Sequence, residues 1–499
     1  MSLVRRLLDQ AAETPAAVAL VAGDGTELTY GDLRRQVLAV RHALVTSGME
    51  PGDGVLFSVR PSPESLVLAL GVVAAGGMVV FADPGAGPEM FTARLRLARP
   101  KWSAAESFLY AASRLRPVRA YARRRGLLLP NLGDLEVQGQ GPMRHIHVGR
   151  WLPGVPRGAL SFAKLVRGDA PEPSDVGDPD APAAVIFTSG TTENPRAVVH
   201  TQASLSAALD LFRERLPLGP GDIVHTDQLM LGLPTLISGA RWSMPPLFSS
   251  PDEFGRLLKE RGATHTFCVP VHLAEILDAH PKLPEGLRYV LLGAAPAPAA
   301  ILRRAMEATS AQVLSVYAMT EILPVAIASA EEKLAHTGQG DFLGEPLVPT
   351  SIAEDGELRL SGPNLCRGYL GDPPLTELPT GDLARLDEKG LVLLGRKKDM
   401  LIRGKFNLYP GLYEPAIAAL DGVTEAAIAG LPDPETGDEE VILAIVGTAD
   451  PDRLRARLPD VIDHDALPDR IVVLSELPRS GRARKLDRDQ LRELVREMA

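Results

Sequence analysis

Only two cysteines occur in the 499 residues, Cys268 and Cys366; they are far apart and form no Cys-x-x-Cys or His/Cys metal spacing. This argues against a disulfide scaffold or a structural metal site, and two buried thiols in a reducing compartment are expected. Aromatic residues make up 5% of the chain, and the 53 Lys+Arg fall short of the 63 Asp+Glu, for a net charge of −10. A general nucleic-acid binder carries the opposite balance, so no nucleic-acid partner is expected. Long apolar runs are also missing. The longest uncharged stretch, Leu66 to Ala82, is interrupted by Gly71, Gly76 and Gly77 and is shorter than the roughly 20 residues of a bilayer span. The N-terminal segment, with Arg5, Arg6, Asp9 and Glu13, lacks the apolar core of a secretory signal. A cytoplasmic protein without a membrane span is expected.

What remains is ordinary globular composition, 45% hydrophobic and 23% charged, in a length that suits two to four domains. Leu33, Val37, Val40 and Leu44 share a helical face, and Gly48 follows as a stop. Val55–Val59 reads as a buried strand. Ser62-Pro63 is an N-cap with proline at the first helical position, and Leu66–Ala82 is a buried helix turning into the strand Val79–Ala82. Such alternation predicts an α/β fold whose large N-terminal domain has parallel-rich sheets flanked by helices. Asp169–Pro182 reads as an exposed loop leading into the strand Ala183–Phe187. The strand Leu391–Leu394 ends in a charged turn, and new strand signals follow at Glu425–Gly430 and Val441–Val446. A boundary at Lys398 therefore divides a large domain, 1–397, from a small α+β C-terminal domain, 398–499.

Arg114, Arg116, Arg119, Arg123, Arg124 and Arg125 crowd into twelve positions. They form either a solvated helix face or a docking site for an acidic carrier protein, a phosphate-bearing ligand or a membrane surface.

The densest chemical signal is Phe187-Thr188-Ser189-Gly190-Thr191-Thr192-Glu193-Asn194-Pro195-Arg196. A buried strand runs into small hydroxyl residues, a glycine and a cation, so backbone N–H groups and hydroxyls can surround phosphate oxygens. The loop lacks the Gly-Lys-Ser/Thr of a Walker A motif. It resembles the phosphate-binding signature of the adenylate-forming (AMP-binding) superfamily, which includes acyl-CoA synthetases, peptide-synthetase adenylation domains and luciferases. Further motifs of that superfamily follow in order: Leu291-Leu292-Gly293-Ala294-Ala295-Pro296, Tyr317-Ala318-Met319-Thr320-Glu321, Thr380-Gly381-Asp382 and Gly395-Arg396-Lys397-Lys398-Asp399. The tail Leu486-Asp487-Arg488 resembles the segment after the catalytic lysine.

The resemblance implies an ATP-dependent ligase that joins a carboxylate to the α-phosphate, expels pyrophosphate and passes the acyl group on. It implies that Thr188, Ser189, Gly190, Thr191 and Thr192 hold phosphate, with Arg196 as a catalytic cation. Gly293, Ala294, Ala295, Tyr317, Ala318, Met319 and Thr320 line the adenine side. Asp382 accepts hydrogen bonds from the ribose hydroxyls, and Arg396 forks onto ribose or phosphate oxygens. Glu321 binds Mg2+, Lys485 neutralises charge at the carboxylate and α-phosphate, and Lys398 is the hinge about which the small C-terminal domain is mobile. ATP and Mg2+ are the implied cofactors and CoA a candidate acceptor.

Departures from the family pattern bear on rate and acceptor. Glu193, Arg196 and Ala197 stand where the family loop has Gly, Lys and Gly, and Ala318 and Arg484 each replace a glycine. Lys405 stands beside the expected pantetheine tunnel. Thr226 occupies the position where amino-acid-activating relatives place an ammonium-binding Asp, and Asp227 lies one residue off. Leu229, Met230, Leu231, Leu233, Leu236, Met319, Ile322 and Leu323 either line an acyl pocket or are plain core. A lipophilic acid, fatty or 3-hydroxy, is therefore expected as the small-molecule partner, with transfer to CoA or an acyl carrier protein. Two alternatives stand beside this. The stretch Phe81-Ala82-Asp83-Pro84-Gly85 is similar to the bacterial β-lactone synthetase branch, in which the adenylated 3-hydroxy acid closes on itself. The departures in the phosphate loop also suit a nucleotide-binding protein with little catalysis.

Overall fold

The structure is a computed structural model that describes residues 2–82, 88–124, 129–137, 140–168, 170, 173, 176–188, 196–336, 339–403, 406–432, 439–480 and 484–498. They form two compact units. One comprises Met1–Ser249, Thr320–Leu323 and Pro363–Thr376, and the other Ser250–Met319, Pro324–Gly362 and Glu377–Ala499.

In the first unit an eight-stranded sheet is centred on Gly54–Ser58, which pairs in parallel with Met78–Phe81 on one side and Trp102–Glu106 on the other. Pro182–Phe187 continues the parallel set beyond Met78–Phe81. These strands are short apolar runs because helices cover both faces. Ala197–Thr201 then reverses direction and pairs antiparallel with Pro182–Phe187. The phosphate-loop sequence is thus the connection between two neighbouring strands, and Thr188 N–H donates to the Arg196 carbonyl at 3.1 Å across its base. A second set of strands orders Glu27–Thr29, Val18–Val21, Arg241–Ser243 and Ile223–His225.

The predicted helix–strand alternation is present. Gly48, at φ +83°, follows the helix Tyr30–Thr46 in the left-handed conformation that glycine adopts cheaply. Ser62 caps Pro63–Ala74 through a reciprocal bond with Ser65. Gly71 has a packing reason: a Cβ there would meet Val40 Cγ1 at 2.4 Å, so its absence lets these two helices approach. Leu33, Val37, Val40 and Leu44 are buried, and each such side chain contributes about 1.5–3 kcal/mol by leaving water.

The second unit opens with parallel strands His265–Cys268, Tyr289–Leu292 and Gln312–Met319. A five-stranded antiparallel sheet follows, in the order Asp341–Gly344, Gly390–Arg396, Leu378–Asp387, Glu357–Leu360, Thr350–Ile352. The expectation of parallel-rich sheets did not foresee it. From Leu401 onward the chain builds a smaller sheet, with Val423–Pro432 antiparallel to Glu439–Gly447 and Arg470–Leu474 parallel to the latter. Ile417, Ile428, Leu443 and Ile445 form its core. Arg488 anchors the last helix, Arg488–Glu497, by a two-point ion pair with Glu414, both bonds 2.8 Å, and a contact to Asp399 at 3.2 Å.

Both cysteines are buried free thiols. Among the described residues no helix is long and apolar enough to cross a membrane.

Candidate active site

Four of the expected residues converge in the second unit. Asp382 and Arg396 lie directly opposite each other on the adjacent antiparallel strands Leu378–Asp387 and Gly390–Arg396. Arg396 Nε reaches Asp382 Oδ1 at 2.8 Å. Tyr317, near the C-terminal end of the strand Gln312–Met319, donates its hydroxyl to Asp382 Oδ2 at 2.6 Å. Burial first, then the negative charge of Asp382, pushes the Tyr317 phenol well above its ordinary pKa, so it remains a donor. Asp382 is 1% exposed, and its Oδ1 receives no aligned hydrogen bond despite the contact with Arg396. A buried carboxylate oxygen with open acceptor capacity is costly alone and suited to a ligand hydroxyl.

The strand holding Asp382 is itself clamped. Thr380 Oγ1 donates to the Leu358 carbonyl at 2.8 Å and accepts from the Asp382 N–H at 3.0 Å. Glu357 accepts from the Gly381 N–H at 2.9 Å and pairs with Lys397 at 3.0 Å, while Lys397 also pairs with Asp355 at 2.6 Å. The hydrogen bond from Lys397 is the main reason both carboxyl groups sit below their usual pKa. Lys397 was read only as part of the hinge motif; here it braces the strand at Gly381 through Glu357. Its neighbour Lys398 is exposed in the short 3₁₀ turn Lys397–Asp399.

Lys485 begins the short strand Lys485–Leu486, whose partner is Arg479–Ser480. The residue as a whole is exposed. Even so, partial burial of its ammonium lowers its pKa below the usual lysine value, with Arg396 and then Lys398 adding to the shift and Asp382 opposing it. Arg484, immediately before it, has φ +47°, a left-handed conformation that glycine takes without strain. Arg484 is thus a non-glycine residue at a position where the resemblance expects glycine. Arg484 also pairs with Glu275 at 2.6 Å.

Gly293-Ala294-Ala295 follows the strand Tyr289–Leu292, so this loop and Tyr317 both stand at C-terminal ends of neighbouring parallel strands, where α/β sheets place ligands. Ala294 has φ +66°, a strained value for a residue with a Cβ. A Cβ on Gly293 would lie 2.9 Å from the Phe267 ring.

A second cluster lies in the first unit. Tyr369 donates its hydroxyl to Glu321 Oε1 at 3.0 Å, and the Arg196 guanidinium carbon stands 5.1 Å from the Tyr369 ring centre. Burial and the Glu321 charge push the Tyr369 pKa up to about 12. The Cys366 N–H donates to the Glu321 carbonyl at 2.8 Å. His200, fully buried in the strand Ala197–Thr201, donates Nε2–H to the Thr320 carbonyl at 2.7 Å, with Nδ1 3.1 Å from Ser204 Oγ. Burial lowers its pKa, so it is a neutral brace that ties the Thr320-Glu321 segment to the strand after the phosphate loop. Sequence reasoning missed Tyr369 and His200. The only signal for His200 was a polar ring within an otherwise apolar strand.

Ser189, Gly190, Thr191, Thr192, Glu193 and Lys405 lie outside the described residues, as does Asp83-Pro84-Gly85. Thr188, Ala318, Met319 and Thr320 are partly buried and Arg196 is exposed. Of the acyl-pocket candidates, Leu231, Leu236 and Ile322 are fully buried and Leu236 belongs to the main core, whereas Leu229 is exposed. Thr226 is buried, with its Oγ1 accepting from the Gln228 N–H at 3.0 Å. Asp227 is exposed and held by Gln228 Nε2 at 2.8 Å.

The chain matches the AMP-binding enzyme family over residues 7–370 and the AMP-binding enzyme C-terminal domain over residues 413–484. It is 28% identical to a feruloyl-CoA synthase of an Amycolatopsis species across 94% of both chains. It is 30% identical to a 2-succinylbenzoate–CoA ligase of Listeria monocytogenes across 70% of this chain and 79% of that one. The solved structure of the amide bond synthetase McbA from Marinactinospora thermotolerans superimposes with a TM-score of 0.81 at 26% identity, over 99% of both chains. The chain belongs to the AMP-binding enzyme family, the acyl-adenylate-forming ligases.

Proposed function

We propose that this protein activates a lipophilic carboxylic acid, fatty or 3-hydroxy, as its acyl adenylate and passes the acyl group to the thiol of CoA or of an acyl carrier protein. One observation carries the nucleotide half of this reading: the buried Asp382 carboxylate, flanked by Tyr317 and Arg396, with an oxygen open to a hydroxyl donor. That is the chemistry a ribose needs.

In the first step a carboxylate oxygen of the acid attacks the α-phosphorus of ATP. The bond from α-phosphorus to the bridging oxygen breaks, and pyrophosphate leaves with its electron pair. Lys485 supplies positive charge to the carboxylate and α-phosphate, and Arg396 adds to the cationic field near Asp382. By the family resemblance, Thr188 to Thr192 and Arg196 serve the departing phosphates. Glu321, a hard oxygen donor with Oε1 already steadied by Tyr369, would hold Mg2+, which would screen phosphate charge. In the second step the thiol sulfur attacks the acyl carbonyl, loses its proton to solvent, and AMP departs. Between the steps the segment from 398 onward turns about Lys398, withdrawing Lys485.

The acid is read as lacking an α-amino group. A buried ammonium needs a buried carboxylate. Here the anchor position holds Thr226, and Asp227 faces water. The Leu/Met-rich helix Leu229–Ile237 beside it suits an apolar chain. The reaction belongs in the cytoplasm, where free thiols such as Cys268 and Cys366 persist.

A second reading concerns the acceptor alone. The likeness to an amide bond synthetase over 99% of both chains favours transfer to an amine in place of a thiol. Mass spectrometry of products from ATP, Mg2+ and a panel of acids, with CoA, with an amine or with no acceptor, separates these outcomes. A thioester supports the first reading and an amide the second. A β-lactone formed without acceptor would assign the intramolecular route, and no pyrophosphate with any acid would leave only nucleotide binding.

A further inference from the structure

One face of the first unit is used by nothing described above. From Ser107 to Glu136 the sequence holds six arginines against two acidic residues, Asp134 and Glu136, in a chain of net charge −10. The helices Ser107–Arg114 and Arg116–Arg124 lie within this stretch. Arg114 and Arg116 are exposed there, as is Arg150, and none of the three forms an ion pair among the described residues. Large apolar side chains stand out beside them: Phe108 is 62% exposed, Leu115 55% and Trp151 63%. The segment 148–154 runs along the first helix. Ser107 Oγ donates to the Val148 carbonyl at 3.1 Å, and a Cβ on Gly154 would lie 2.8 Å from Ala111 Cα. Arg150 and Trp151 are thereby held beside the helix that carries Phe108 and Arg114.

We propose that this face is a peripheral docking surface for an anionic phospholipid bilayer. Exposed Trp, Phe and Leu next to arginine are the components of interfacial binding: the rings and aliphatic chains enter the headgroup boundary while guanidinium groups meet lipid phosphates. Three large apolar side chains, each more than half exposed, would each need a matching hollow on a folded acidic protein. A bilayer interface accepts them at any spacing. The charge is local and opposite in sign to the whole chain, so attraction to an anionic surface is confined to this face.

The chain carries its own reporter. Of its three tryptophans, Trp102 and Trp242 are 1% exposed and only Trp151 faces out. The full chain is mixed at low ionic strength with vesicles of phosphatidylcholine alone or of an equimolar phosphatidylcholine–phosphatidylglycerol mixture. The protein is expected to float with the anionic vesicles only, with blue-shifted emission that brominated lipid quenches and that added salt reverses. Trp151→Ser should remove the emission change. Arg116→Glu with Arg150→Glu should lower partitioning by about tenfold or more. Both variants change exposed side chains outside the nucleotide machinery, so pyrophosphate release should stay unchanged. Absence of flotation with anionic vesicles, or flotation that survives the double charge reversal, would overturn the proposal. A shift of Trp151 emission by an acidic acyl carrier protein, with vesicles inert, would also overturn it and assign the face to protein docking.

Discussion

The Tyr317 hydroxyl donates a 2.6 Å hydrogen bond to Asp382 Oδ2, across 65 residues of sequence. Two separate motifs therefore meet: the Tyr317 hydroxyl fixes the Asp382 carboxylate. Asp382→Ala should weaken ATP binding by about 1.5–3 kcal/mol, the worth of a hydrogen bond to a charged group, or roughly 10- to 150-fold. Tyr317→Phe keeps the ring and should cost less, raising the KM for ATP several-fold with little change in the KM for the acid. Calorimetry of ATP binding checks both. Unchanged affinity in Asp382→Ala would remove the ribose assignment.

The two lysines of the C-terminal region should separate the half-reactions. Lys485→Ala is expected to abolish adenylation yet leave turnover of supplied acyl adenylate largely intact. Lys398→Pro fixes φ near −65° and should spare adenylation while blocking product formation. Single-turnover assays of each step decide this. Normal adenylation by Lys485→Ala would shift the role to Arg482 or Arg484.

The lowered pKa of Lys485 gives that prediction a pH signature. Adenylation needs the ammonium, so it should be complete below the lowered pKa and fall as pH rises through it, at a pH below the ordinary lysine value of 10.5. Lys485→Arg should retain activity further into the alkaline range. The sign for stability is the opposite. A cation whose folded pKa is depressed burdens the folded state at neutral pH, so Lys485→Ala should not lower Tm. A fall in Tm at neutral pH would contradict the assigned environment.

Arg484 offers a test of backbone strain. Its φ of +47° costs a residue bearing a Cβ about 1–2 kcal/mol, while its exposed pair with Glu275 returns less than about 1 kcal/mol. Arg484→Gly should therefore be more stable than Arg484→Ala by about 1 kcal/mol. Equal denaturation midpoints for the two variants would show that the left-handed conformation is not populated in solution.

Much of this was legible before the fold was known. Runs such as Val79–Ala82 and Ala183–Phe187 read as buried strands, and strands lie there. The order of six short motifs pointed to the family, and four of their residues, Tyr317, Asp382, Arg396 and Lys485, gather in one unit. The five-stranded antiparallel sheet was not foreseen: its strand Leu378–Asp387 carries Pro379 and Gly381, both poor strand formers. The braces also escaped. His200 reaches the Thr320 carbonyl across 120 positions and Tyr369 reaches Glu321 across 48, and no local pattern encodes such long-range hydrogen bonds. Glu357 and Lys397 likewise reveal their role only once their strands are aligned.

Acid-dependent release of pyrophosphate from ATP and Mg2+ tests the central claim most directly. It should be measured over a panel of fatty, aromatic, 3-hydroxy and amino acids, in the native chain and in Lys485→Ala. The account predicts release by the native chain with one or more lipophilic acids, no release with amino acids, and none with any acid in the variant. Release driven by amino acids alone would contradict the substrate class. Equal release by Lys485→Ala, or none by the native chain with any acid, would contradict the proposed chemistry.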